Sequence, residues 1–443
     1  MAENKVPMKG YARKNAIPEK LIHSNVLQLT NASKLLNSAY HMKKLLFAIS
    51  FTTVQLCNAQ ITLIGMSSKG GFGNHGTIFS IGSSGNIETL LNFNEGTNGC
   101  SPHGGLVQDS DGSLYGVASG CGANGTGTLI RYNGEYHGIT KLVDFHGAIG
   151  AGPTGNLIIG ADGNLYGMTN AGGANDVGTI FKCTTDGQIA TVASFSSNKG
   201  TYPMGSLVQD KWGNLYGMTR LGGQFDKGVV FKCSSTGTLT VLHNFNGDDG
   251  SQPGGNIIVL KDTLLYALTP NGGTADGGTV FVCTASGKYT TLSNLDNSTG
   301  TFPTGSLLNG GDGYLYGTTA HGGAQQSGTL FRCNEAGKVT VLVNFNDTNG
   351  ANPEGSLILA SDGNIYGTTR KGGGSDAGVV FKYNVASGHM ESVCEFSTNG
   401  AQMAQGGLIE MKLNSDLKSL ASSRKIYRHN QIAKRGGNVG MGE

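Results

Sequence analysis

The chain has 443 residues, 74 of them glycine, with 37% hydrophobic and 14% charged residues and a formal net charge of +2. The glycines do not recur at every third position, which excludes a collagen-like helix, and the short, regularly spaced hydrophobic runs exclude a disordered chain. Residues 1–44 carry eight Lys/Arg against two acids and residues 412–443 seven against two, so the segment between them is net acidic. That segment has no clustered basic footprint, which excludes nucleic-acid binding.

The first recognisable element is MKKLLFAISFTTVQLCNAQ, residues 42–60. Lys43 and Lys44 form a positive start, Leu45 to Val54 is apolar, and Asn58-Ala59 ends in a small residue before Gln60. This predicts a secretory signal peptide over 42–59, with residues 1–41 a start-site extension outside the mature protein. The other reading is a single apolar anchor in a longer chain. The stretch is short for a membrane span, and none is expected in the mature protein.

From Ile61 onward one unit of about fifty residues repeats seven times. In the copy 205–254, Ser206–Gln209, Leu215–Thr219, Val229–Cys233 and Thr238–Phe245 read as four strands, rich in β-branched and aromatic residues and separated by Gly/Asp/Asn turns. Tyr115, Tyr166, Tyr216, Tyr266, Tyr316 and Tyr366 recur in the second strand. Phe79, Phe181, Phe231, Phe281, Phe331 and Phe381 recur in the third. Pro102, Pro153, Pro203, Pro253, Pro303 and Pro353 mark the links between copies.

A meander of this size cannot bury both faces alone, but stacking copies side by side buries them. The first copy begins with its second strand, and GLIEM at 407–411 matches the missing first one. The expected fold is therefore all-β: a seven-bladed β-propeller of four-stranded antiparallel blades over 60–412, closed by a C-terminal strand that completes the first blade. A β-solenoid is the alternative, but its coils run nearer 20–30 residues. Residues 413–443 leave the pattern and read as a polar, basic tail, disordered or a divergent sorting segment.

The motif DGxLYGTTxxGG followed by a GT(V/I)F-like strand, seen at Asp312 to Phe331, resembles the GloVer-type tandem repeat family of exported bacterial proteins with varied C-terminal anchors. The resemblance implies export and an extracellular or cell-surface location. It implies no activity and carries over no catalytic residues.

In an up-and-down blade, the loop between strands two and three shares a face with the link to the next blade; this is the upper face. Asp176, Asp226, Asp276 and Asp376 share one position there, with Asn74, Gly125 and Gln326 in other copies. Such a ring suits a cation or sugar hydroxyls; equally, Asp and Asn suit the geometry of Gly-rich turns. Arg220, His321, Arg370 and Lys371 break the repeat in upper loops, and His103 does so after Pro102. They are candidates for a polar pocket taking an anionic or carbohydrate ligand, against ordinary loop variation. Trp212, the only tryptophan, falls in a lower turn.

Cys183, Cys233, Cys283 and Cys333 share one strand-three position and read as small core residues. Cys100 and Cys121 have no counterparts in other copies and are paired as a disulfide, while Cys394 is left without a partner. No metal-ligand spacing, nucleophile elbow or phosphate loop is in credible context, so no cofactor or metal is expected. The functional expectation is a secreted or cell-surface, non-catalytic binding or scaffold propeller with a glycan or protein ligand. The alternatives are a carbohydrate-active propeller enzyme, which needs two carboxylates across one bond, and a purely structural surface protein.

Overall fold

The structure is a computed structural model that describes residues 61–412 apart from 83, 135–137, 398–399, 403 and 405. The expected signal peptide, the extension before it and the basic tail lie outside the described residues.

Seven antiparallel blades form the fold. In the fourth, Val208–Gln209, Leu215–Thr219, Val229–Cys233 and Leu239–Asn244 pair in that order from axis to rim. The third blade carries one extra strand, Ala151–Pro153, paired with Leu165–Ala171. The alternation that makes these segments strands is visible in the register. Gly217 faces Phe231 across strands two and three, and the phenyl ring fills the space a side chain on that glycine would take. The ladder between strands three and four slips just before the recurrent phenylalanine, between Val230 and Phe231 here and between Ile78 and Phe79 in the first blade. Such a bulge adds the twist that blades need to fan around an axis.

The innermost strands are shorter than the sequence suggests. Only Val208 and Gln209 of the expected Ser206–Gln209 strand join the ladder. Ser206 and the glycine before it engage the neighbouring blades instead, as described below.

The core is divided among the seams between blades. At one seam Phe195 of the third blade meets Phe231 of the fourth edge-on, with centroids 5.1 Å apart; Phe145–Phe181 and Phe345–Phe381 repeat the contact at 5.1 Å and Phe245–Phe281 at 5.4 Å. All these rings are fully buried, which stabilises by about 2–3 kcal/mol each, with about 1 kcal/mol more per edge-to-face pair. The same contact closes the ring: Phe396 of the seventh blade meets Phe79 of the first at 5.3 Å.

The C-terminal strand completes the first blade. Ile409–Glu410 pairs with Leu63 and Ile64, and Leu408 is buried beside Phe79 and Phe396. Glu410 also accepts from Ser361 of the seventh blade, and Lys412 exchanges hydrogen bonds with Gln108 of the second. A second short pairing, Lys69–Gly70 with Ala401–Gln402, straps the same junction on the upper side. Among the described residues, no helix is long and apolar enough to cross a membrane.

Candidate functional site

Every inner strand is preceded by a glycine: Gly104, Gly155, Gly205, Gly255, Gly305, Gly355 and Gly406. None has a positive φ, so the need is for space. A Cβ on Gly205 would lie 2.1 Å from the Gly255 carbonyl oxygen, one on Gly255 2.4 Å from that of Gly305, and one on Gly406 2.4 Å from that of Gly104. Backbones of successive blades therefore touch around the axis.

The next residue turns this contact into a hydrogen-bonded chain. The Asn156 amide donates to Ser206 Oγ (2.9 Å), the Ser206 amide to Asn256 Oδ1 (2.8 Å) and the Asn256 amide to Ser306 Oγ (3.0 Å). Ser306 Oγ and Ser356 Oγ share a further bond of 2.9 Å.

Beside this girdle, on the upper face, lies a cup of 620 Å³ lined by residues from six blades. Its wall is built at the recurrent proline. The residue before that proline is left-handed in six copies: Ser101 (φ 54°), Gly152 (63°), Tyr202 (58°), Gln252 (55°), Phe302 (60°) and Asn352 (52°). For a tyrosine or phenylalanine this conformation costs about 1–2 kcal/mol and persists only where the surroundings impose it. Two hydrogen bonds do so. The Phe302 amide donates to Gly277 O of the preceding blade (3.1 Å), and Phe302 O accepts from the Ala320 amide (3.1 Å). Tyr202 is held likewise, by Val177 O and the Arg220 amide.

The residue after the proline and the residue at the end of strand two complete the wall, as Met204, Thr304 and Glu354 and as Ser119, Asn170 and Arg220. Tyr202 is 42% exposed, an aromatic ring open to the cup. Thr304 Oγ1 is buried without a hydrogen-bond partner among the described residues.

Of the residues singled out from sequence, Arg220 and His103 line the cup. Arg370 stands behind its wall, with Nη1 3.1 Å from Glu354 Oε1. His321 packs outside, its ring 5.7 Å from Phe302 and its Nδ1 3.2 Å from Asn352 Nδ2. Lys371 is exposed and does not line the cup.

The aspartates behave as turn residues. Asp176, Asp226, Asp276 and Asp376 have φ of 50–56°, and their Oδ1 atoms accept from the amides of Gly172, Gly222, Gly272 and Gly372. None lines the cup, and no group of metal-ligating side chains occurs among the described residues. Trp212 is 62% exposed, with Lys211 Nζ 4.8 Å from its ring centre. The sulfurs of Cys100 and Cys121 are bonded, tying the link into the second blade to its upper loop. Cys183, Cys233, Cys283 and Cys333 are free and buried, and Cys394 is free and partly buried.

Tyr202, Met204, Gln252, Phe302 and Glu354 are cup residues that inspection of charged loop positions did not find. Their signal lies in the internal alignment of the copies: proline recurs in six of the seven links, while the residues before it are all different.

The sequence profile of the Gloeobacter/Verrucomicrobia repeat matches residues 52–281 and 234–428, overlapping spans that together take in all the blades. The chain belongs to this repeat family. Its fold is similar to two solved structures of putative 6-phosphogluconolactonases. The one from Bacteroides fragilis NCTC 9343 has a TM-score of 0.53 and 15% identity, over 81% of this chain and 99% of that one. The one from Bacteroides uniformis ATCC 8492 has a TM-score of 0.51 and 13% identity, over 79% and 99%. At such identities the likeness is one of fold alone. Comparison with curated proteins gives no match.

Proposed function

We propose that this member of the repeat family is an exported, non-catalytic binding propeller whose axial cup holds a carbohydrate. The observation that carries this reading is the convergence on one cavity of side chains that differ from copy to copy, in a chain otherwise built from near-identical units. Their chemistry suits a sugar: Tyr202 and Phe302 offer aromatic faces to ring C–H groups, and Asn170, Gln252 and Thr154 offer hydrogen bonds to hydroxyls. Hydrolysis of a glycosidic bond needs two carboxylates flanking it. Glu354 is the one carboxylate among the cup's lining residues, and it is engaged by Arg370, which favours binding over hydrolysis. The secretory pattern at 42–59 and the Cys100–Cys121 bond both suit an oxidising, extracellular location.

A glycan array followed by calorimetry on the purified protein tests the proposal. Retention of a saccharide that weakens about tenfold in Tyr202→Ala, the loss of one stacking contact, supports it. Retention of no glycan, or release of reducing ends over time, refutes it.

A further inference from the structure

The repeat contains an internal control for one wall of the cup. Arg220 and Arg370 occupy the same repeat position, and each reaches the residue sixteen places earlier, just after the recurrent proline. In the seventh blade that residue is Glu354, and the pair is an ion pair with Nη1 3.1 Å from Oε1. In the fourth it is Met204, and Arg220 Nη1 lies 3.7 Å from the thioether sulfur, a weak acceptor. Arg220 is half-buried, lines the cup, and forms no ion pair among the described residues. A half-buried guanidinium whose one side-chain neighbour is a thioether keeps N–H donors available to an anionic ligand.

We propose that the saccharide in the cup carries a carboxylate, as a hexuronic acid does, and that Arg220 binds it where the seventh blade supplies Glu354. This rests on the carbohydrate reading above. The planar fork of arginine matches a carboxylate in two parallel hydrogen bonds. The sugar ring has its own place, because the Arg220 amide donates to Tyr202 O at 3.1 Å. That bond sets the two residues side by side in the wall of the cup, and both line it. Acid group and pyranose ring are then read by neighbouring side chains of one blade. The Arg370–Glu354 pair is neutral as a unit, whereas Arg220, the arginine that lines the cup, has no ion-pair partner among the described residues.

Calorimetry with an oligogalacturonate, its methyl ester, a neutral galacto-oligosaccharide and a sulfated oligosaccharide tests this in the wild type, Arg220→Gln and Met204→Glu. The second variant keeps the arginine but supplies the carboxylate found in the seventh blade, and melting curves check that both variants fold. The expected result is that the free acid binds at least tenfold more tightly than its ester. That preference, read as the ratio of acid to ester affinity within each protein, is expected to vanish in both variants. Equal binding of acid and ester, or an acid preference that survives Met204→Glu, overturns the carboxylate assignment and leaves carbohydrate binding intact. Tighter binding of the sulfated chain than of the uronate overturns the choice of carboxylate. If none of the four saccharides binds and the array also retains none, the carbohydrate reading itself falls, and this inference with it.

Discussion

Two adjacent glycines in the link to the fifth blade respond to the same mutation in opposite directions. Neither Gly254 nor Gly255 has a positive φ, so alanine fits both backbones. A Cβ on Gly254 meets nothing within 4 Å. On Gly255 it would lie 2.4 Å from the Gly305 carbonyl oxygen and 3.2 Å from that of Thr304. Contacts below 3.0 Å are essentially never seen, so the sixth blade would have to retreat by at least about 0.6 Å at the axis, where the hydrogen-bonded girdle resists it. Overpacking of this kind costs about 1–3 kcal/mol. Gly254→Ala restricts only the unfolded chain and gains about 0.4–1 kcal/mol. The two variants should therefore differ by about 2–3 kcal/mol in urea unfolding. With an unfolding entropy of about 2.1 cal/mol/K per residue over roughly 350 residues, that is a Tm gap of about 3–4 °C. Gly255→Ala proving as stable as Gly254→Ala would refute the idea that the blades touch at this level.

Other perturbations read other parts of the ring. Burial pushes the thiols of Cys183, Cys233, Cys283 and Cys333 up to about 11 and that of Cys394 to about 12, so none should react with a thiol reagent in the native state at pH 8; rapid labelling of any of them would contradict this. Replacing both Cys100 and Cys121 by serine opens a bridge between residues 21 apart and should lower stability by about 3 kcal/mol in denaturant unfolding. Burial raises the carboxyls of Asp162, Asp210 and Asp362, but hydrogen bonds from Asn164 and Lys182, from Asn214, and from Asn364, joined in each case by the nearby Tyr166, Tyr216 or Tyr366, outweigh it and hold them below the usual range. Because these folded pKa values are depressed, their stabilisation is complete above about pH 5 and lost as pH falls below about 4. Melting temperature should drop as pH falls from 5 to 3, and a flat profile over that range would count against it. Leu408→Ala removes a side chain only 5% exposed at the closing seam and should cost about 2–4 kcal/mol, whereas Leu359→Ala, 37% exposed, should cost under 1.

Periodicity made the architecture legible before any coordinates. Tyr216, Phe231 and Pro203 each have counterparts about fifty residues away, and a missing first strand matched by residues 407–411 implies closure. The seam contacts explain why that inference was sound: the Phe396–Phe79 pair is the same chemistry as Phe195–Phe231, so the last junction needs no special device beyond the completing strand. What periodicity hid was the inner strand. Ser206 looks like a strand residue by composition, but its oxygen accepts from the Asn156 amide of the neighbouring blade, and such inter-blade bonding leaves no local pattern.

The cup was half legible for a related reason. Charge draws attention to Arg220 and Arg370 alike, and sequence inspection treats them as equals. The residue sixteen places earlier separates them: Glu354 makes one arginine part of the scaffold, while Met204 leaves the other facing the cavity. The aspartates are the opposite case, chemically conspicuous yet accounted for by the amide of a glycine four residues before each. In a ring of near-identical units, chemistry repeated at every blade is explained by the backbone it supports. Asymmetry has no such explanation, and in this propeller it concentrates at the residues flanking the recurrent proline. There a left-handed backbone, pinned from both sides except at Gln252, where Pro270 has no amide to donate, accepts serine, tyrosine, glutamine, phenylalanine and asparagine in turn. Holding Tyr202 in that conformation costs stability while leaving its ring 42% exposed, which is the expected mark of a side chain placed for a ligand rather than for packing.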